Sequence, residues 1–392
     1  MRTGVREVAL AIGLSRAQSA ALPTALAGLA ALAISQGIGR FAMTPILPMM
    51  QQEGLSLAQG GWLAAANYLG YLAGALSTIW LNVGASLAIR AALLTIALST
   101  LAMGLVNGFV VWLVLRMLAG VASGWVLVLV SAWALERLAA LQRPQLGGVL
   151  YAGVGTGVAT AGVACLVVMQ LGASAATAWI ALGAVALVTA GAIWAPLVVE
   201  KKPLAEPGPA AQSGATGWLL VLCYGAYGFG YIVPATFLPA MARQIVADPL
   251  AFGSAWPIFG TAAALSTLVA SRLGASTNPR RAWIVSMLVM AVGVAAPLVV
   301  PGLPGILVSA VLVGATFVTM TLAGMQEARR LYGAAARPVM AAMTSAFAVG
   351  QLVGPILIAL VETLPHGFTL VLLAATASLT AGAVALASQR SE

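Results

Sequence analysis

Apolar blocks about as long as a bilayer is thick follow one another along almost the whole chain, and they leave few folds open. A helix needs about 20 apolar residues to cross the hydrocarbon core. Twelve blocks approach or exceed that length: residues 21–49, 62–81, 91–106, 109–135, 146–171, 178–199, 217–242, 252–269, 282–300, 306–325, 339–361 and 368–386. The third is short and extends back through "ASLAIR". Block length and the lack of apolar–polar alternation predict helices, not barrel strands. Only 7% of the 392 residues are charged and 61% are hydrophobic. A soluble domain carries about a quarter charged residues. The expected class is an all-α membrane protein with twelve transmembrane helices.

The net charge of +9 does not point to nucleic acid, because the basic residues sit in short connectors instead of on one face. Connectors on one side hold Arg2, Arg6, Arg16, Arg90, Arg137, Arg143, Lys201, Lys202, Arg272, Arg280, Arg281, Arg329, Arg330, Arg337 and Arg390. Connectors on the other side hold Arg243. By the positive-inside rule, both termini are expected in the cytoplasm of a plasma (inner) membrane protein. The opening "MRTGVREVALAIGLSRAQSA" reads as a cytoplasmic tail and not a signal peptide. Cys165 and Cys223 lie inside apolar blocks, which leaves neither a disulfide framework nor a CxxC metal site.

The longest polar stretch, "EKKPLAEPGPAAQSGAT", separates six blocks from six. It predicts three parts: a six-helix bundle over 1–199, a cytoplasmic linker over 200–216 and a second bundle over 217–392. The halves share a pattern. "GIGRFAMTPILP" in the first block parallels "GFGYIVPATFLP" in the seventh, so Gly37, Gly39, Leu47 and Pro48 map onto Gly228, Gly230, Leu238 and Pro239. "ALST" recurs at 75–78 and 264–267. Six crossings return the chain to its starting side, so this is a parallel duplication.

Twelve helices, a parallel 6+6 repeat and a central loop resemble the major facilitator superfamily. "GIGRFAMTPILPMM" followed by "ANYLGYLAGAL" is similar to its YbfB/YjiJ-type subfamily. In "LRMLAGVASG", Arg116 and Gly120 match the superfamily's fourth-helix motif, with Ala119 where Gln is frequent. "STIWLNVGASLAIR" keeps Arg90 but lacks the Asp of the second-to-third-helix loop. "VASRLGASTNPRR" keeps Arg272 and Gly274, with Ser271 in the Asp place. The fifth helix, "YAGVGTGVATAG", lacks the antiporter Gly-Pro, and "GQLVGP" stands in the eleventh instead. These departures weaken the case for proton-driven drug antiport. The resemblance implies the major facilitator fold and transport by alternating access, and it implies that the first and fourth helices line a central cavity.

The chemistry centres on Arg40, which lies eight residues before Pro48. At about 1.5 Å per residue it sits roughly 12 Å below the outer helix end. A charge at that depth costs at least about 2.5–3.5 kcal/mol, so it must face the bundle interior. Gln36, Arg40 and Thr44 recur every four residues and are expected on one face. Arg116 stands at similar depth in the fourth helix, and both guanidinium groups are expected in one chamber. None of the nine acids lies deep in a block. A substrate anion is therefore expected to complete the arginines, since guanidinium forks suit carboxylate or phosphate. The other reading has each arginine bonding the carbonyls of a broken helix. Tyr224, Tyr227 and Tyr231 share a face of the seventh helix, Asn67 and Tyr71 one of the second, and Gln351 stands in the eleventh. These are candidate cavity groups, or glue between helices. Gly153, Gly155 and Gly157 are expected to let the halves pack closely.

Glu327 comes nearest to a membrane acid. Beside Arg329 and Arg330 it reads as a surface ion pair, so Glu327→Gln is expected to leave exchange largely intact. An intramembrane enzyme is disfavoured because the sole histidine, His366, sits in the connector "ETLPHG". No GxxxxGK[ST] loop supports ATP-driven pumping. The expected function is a secondary transporter of a small organic anion. The alternative is an exporter of neutral or lipophilic compounds with Arg40 and Arg116 structural, and a sensor or scaffold is a further class. Expected partners are the solute and membrane lipids, with no nucleic acid, cofactor or metal, and the chain is expected to be a monomer.

Overall fold

The computed structural model describes residues 16–80, 83–197, 215–245, 253–273, 278–361 and 366–388. Most of the expected linker lies outside the described residues. Among those described the secondary structure is entirely helical, in twelve rods. The first, α1, is interrupted and runs through Arg16–Leu32, Ala33–Arg40 and Met43–Gln52. It is followed by α2 (Leu57–Ser77), α3 (Ala85–Leu105), α4 (Phe109–Ala140), α5 (Gly147–Gln170) and α6 (Ala175–Ala192). Then come α7 (Ala215–Ile245), α8 (Ala255–Leu273), α9 (Pro279–Val299), α10 (Leu303–Tyr332), α11 (Ala336–Val361) and α12 (Gly367–Ser388).

The helix ends are set by local chemistry. Ser56 caps α2 in a capping box with Gln59. Ser174 caps α6 and Asn278 caps α9. Gly108 and Gly302, at φ 136° and 80°, make the turns into α4 and α10 that a side chain would strain.

Nine helices among the described residues are long and apolar enough to cross a membrane. That is fewer than the twelve expected from the blocks. The three that fall short are α2, α8 and α11; over the described residues α8 counts as a shorter apolar helix, Ala255–Ala270. α2 packs on α11, and α5 on α8. Helices at that seam present Asn67, Thr267, Thr344 and Gln351 to protein, all buried. Leu222, Val188 and Val299 stand on the outer surface, where lipid tails take the place of protein neighbours. Trp62 at one end, and Trp80 and Trp218 at the other, are exposed as interfacial anchors.

The pairing scheme repeats with a six-helix offset. α1 packs on α5, α2 on α4 and α3 on α6; α7 packs on α11, α8 on α10 and α9 on α12. Glycines make the close crossings. A Cβ at Gly37 would overlap Gly157 of α5, and one at the matching Gly228 would overlap Phe347 of α11. The α5 glycines divide their work. Gly155 meets α8 across the seam as expected, but Gly153 and Gly157 meet α1 at Leu29 and Ala33. On α4, Gly120 and Gly124 meet the α2 backbone at Asn67 and Tyr71.

One end of the bundle is basic. There Arg337 of α11 donates to the Thr78 carbonyl after α2 at 2.6 Å. Arg329 of α10 approaches Glu136 of α4 at 3.9 Å. The expected surface pair of Glu327 is instead a buried one. Its carboxylate is fully buried and accepts from Arg280 Nε at 3.0 Å and from Arg330 Nε and NH2 at 2.7 and 2.8 Å. Arg280, read as a connector residue, opens the first turn of α9 and is itself buried.

Candidate functional site

The site begins with a fault in a helix. Residues Ala33–Arg40 wind as a π-helix, with the turn continuing through 41 and 42. Gly37 and Gly39 remove the side chains that would oppose close neighbours here. A widened turn leaves carbonyls without regular partners, and inside a membrane those must be met by protein. They are met by side chains from α2 and α4. Arg116 donates from NH1 to the Gly39 carbonyl and from NH2 to the Arg40 carbonyl, each at 3.0 Å. Asn67 Nδ2 donates to Gly39 at 3.3 Å and to the Arg116 carbonyl at 2.9 Å. Ser123 Oγ donates to the Ser35 carbonyl at 2.9 Å.

So the two arginines are neighbours, yet they differ in use. Arg116 donates from both terminal nitrogens to backbone, its Nε has no hydrogen-bond partner among the described residues, and its guanidinium lies 5.7 Å from the Trp179 ring. Arg40, 3% exposed, turns the other way, to the seam. Its NH1 donates to Gln36 Oε1 at 3.1 Å, and its NH2 donates to Gln351 Oε1 of α11. Gln36 is held in turn by donating to the Ser123 carbonyl at 3.1 Å. Gln351 Nε2 donates to the Tyr231 hydroxyl of α7. A single polar chain thus runs from α4 through α1 and α11 to α7. Arg40 Nε has no hydrogen-bond partner among the described residues.

Aromatic rings enclose the cation. Its guanidinium carbon lies 3.9 Å from the Tyr71 centroid, 5.1 Å from Phe41 and 5.8 Å from Phe347. Tyr68 adds a ring at 5.9 Å. Such contacts contribute about 0.5–2 kcal/mol each when desolvated. Behind them, Tyr227 donates to the Phe317 carbonyl at 2.6 Å and pairs with the Thr321 hydroxyl at 3.0 Å. Glu53, Glu136 and Glu327 are the carboxylates among the described residues, and their hydrogen bonds and ion pairs run to groups other than Arg40 and Arg116.

Eight of the ten expected site residues therefore form one connected group: Gln36, Arg40, Asn67, Tyr71, Arg116, Tyr227, Tyr231 and Gln351. Tyr224 stands one ring further off, 5.3 Å from Tyr227 and 5.7 Å from Trp283. Thr44 is apart. The π-helix and following turn break the four-residue stripe, and Thr44 lines a small cleft with Gly162, Cys165 and Trp256. Sequence reasoning missed Ser123, Phe41, Phe317 and Phe347. A signal for one existed, since Phe347 precedes Gln351 by four residues on α11.

A continuous hydrogen-bonded core around a buried cation thus lies inside a bundle whose pairings repeat after six helices. No curated protein matches the sequence. A family model described as "Uncharacterised MFS-type transporter YbfB" matches residues 30–387, and with nearly the whole chain covered the protein belongs to that family of multi-pass membrane transporters, not enzymes.

Proposed function

We propose that the chain is a secondary active transporter that moves a small organic anion by alternating access between two six-helix bundles. The bundles are residues 1–199 and 217–392, joined by the linker 200–216. The carrying observation is Arg40, a buried cation that joins the two halves through Gln351 and has neutral acceptors instead of a carboxylate. An entering carboxylate displaces the weaker amide acceptor and takes a charge-assisted pair of bonds. Freed from Arg40, Gln351 releases the α1–α11 tie. Differential binding to the tied and untied states is what couples occupancy to rocking. Arg116 belongs on this reading to the scaffold that aims Arg40, and Asn67 with it.

The test is Arg40→Gln in purified protein. Anion binding is expected to weaken about tenfold to a hundredfold, the value of charge-assisted bonds of roughly 1.5–3 kcal/mol. Arg40→Lys keeps the charge without the fork and should fall between. Thermal stability should fall modestly in the Gln variant as the ring contacts are lost, without the larger loss of an orphaned buried acid. Wild-type anion affinity in the Gln variant sinks the proposal and favours carriage of neutral compounds.

We place the basic end in the cytoplasm, with both termini. A cysteine at exposed Ala140, on that end, should react with an impermeant maleimide only after permeabilisation. One at exposed Asn107, on the opposite end, should react in intact cells. The reverse pattern inverts the topology.

A further inference from the structure

We infer that the transported anion is an aromatic monocarboxylate: one negative charge, carried on a flat apolar ring. The inference rests on the reading of Arg40 as the anion's partner and narrows it by two observations.

The first is the supply of charge. Two membrane arginines suggest room for a dianion. Yet both terminal nitrogens of Arg116 are bound to the Gly39 and Arg40 carbonyls, so one guanidinium faces the seam. The nearby hydroxyls are neutral: Tyr227 bonds Phe317 and Thr321, Tyr231 accepts from Gln351, and Tyr71 has no hydrogen-bond partner among the described residues. A second carboxylate would meet at most a neutral donor among rings, with no second cation to offset its desolvation.

The second is the shape of what surrounds Arg40. Tyr231 lies between Phe317 and Phe347, at 4.6 and 5.3 Å and with interplanar angles of 17° and 8°. Three rings are thus stacked nearly parallel, and Phe41 meets Phe317 edge-on at 5.7 Å. The hydroxyl end of Tyr231 reaches Arg40 through the Gln351 amide. In the tied state, then, a flat ring with a polar end already occupies the arrangement assigned to the solute. A benzoate-like molecule reproduces it, with its ring among Phe41, Phe317 and Phe347 and its carboxylate in place of the Gln351 oxygen. Aromatic pairs in offset or edge-on geometry gain beyond their area burial, a gain that a saturated ring of similar size forgoes.

Four probes built on one six-membered ring separate the claims: benzoate, cyclohexanecarboxylate, terephthalate and benzamide, titrated calorimetrically into purified wild-type protein. Benzoate should bind tightest. Cyclohexanecarboxylate should be about two- to tenfold weaker, and terephthalate at least about tenfold weaker. Phe347→Leu, or Phe317→Leu from the other side of the stack, should erase the preference for benzoate over cyclohexanecarboxylate while both still bind. Equal or tighter binding of cyclohexanecarboxylate overturns the aromatic claim. Tighter binding of terephthalate overturns the single charge. Either can occur with Arg40→Gln still weakening every anion, in which case the anion reading survives without this inference. Benzamide matching benzoate, or benzoate binding unchanged by Arg40→Gln, removes the anion reading itself. Binding of none of the four overturns the inference.

Discussion

Replacing Arg116 by methionine should destabilise the protein by about 3 kcal/mol or more. Two charge-assisted hydrogen bonds are lost, each worth about 1.5–3 kcal/mol, and the Arg40 carbonyl keeps no side-chain donor from α4. In water such a carbonyl would rehydrate. In the membrane interior it has no such recourse. The Gly39 carbonyl retains only the longer bond from Asn67. The π-helix should then tighten or fray, and Arg40 should lose its aim. Arg116→Lys can satisfy one carbonyl and should recover part of the loss. Thermal unfolding in detergent, read without ligand, is the measurement. A methionine variant as stable as wild type would mean that the fault in α1 is held by packing alone.

The contrast between the two arginines shows where sequence reasoning stops. Both were legible as charges too deep for lipid, because burial cost depends on position along a block and position can be counted. That an arginine could bond the carbonyls of a broken helix was one of the two readings, and Arg116 does so; which of the two would do it was not legible. The difference depends on a helix fault that places two carbonyls within reach of Arg116, and no periodicity announces it beyond Gly37 and Gly39. The twelve-block pattern and the repeat were readable, since apolar length and a duplicated string are local properties. That α2 meets α11 and α5 meets α8 across the seam is tertiary and was not readable in the same way. The ring stack of Phe317, Tyr231 and Phe347 joins three separate helices and leaves no spacing to read.

Glu327 gives the same lesson with the opposite sign, because neighbours in sequence suggested a surface pair while a distant residue buries it. Its carboxylate is closed in by Arg280 from α9 and by Arg330 three residues on. Glu327→Ala should therefore cost about 3–5 kcal/mol, the range for removing one partner of a buried pair. The Arg280 side chain, 9% exposed, would keep its burial and lose this carboxylate. Glu327→Gln retains an acceptor and should cost less. Adding Arg280→Met to Glu327→Ala should restore part of the loss, since the buried cation leaves with its partner. Unfolding temperatures of the single and double variants form the cycle that checks this, and additive losses would refute the pairing. Transport gives a second readout. Glu327 lies six residues beyond Thr321, about 9 Å along α10 at about 1.5 Å per residue, and among the described residues its hydrogen bonds run to the two arginines. The Gln variant that folds should thus still exchange substrate. Loss of exchange at unchanged stability would instead make Glu327 part of the coupling machinery.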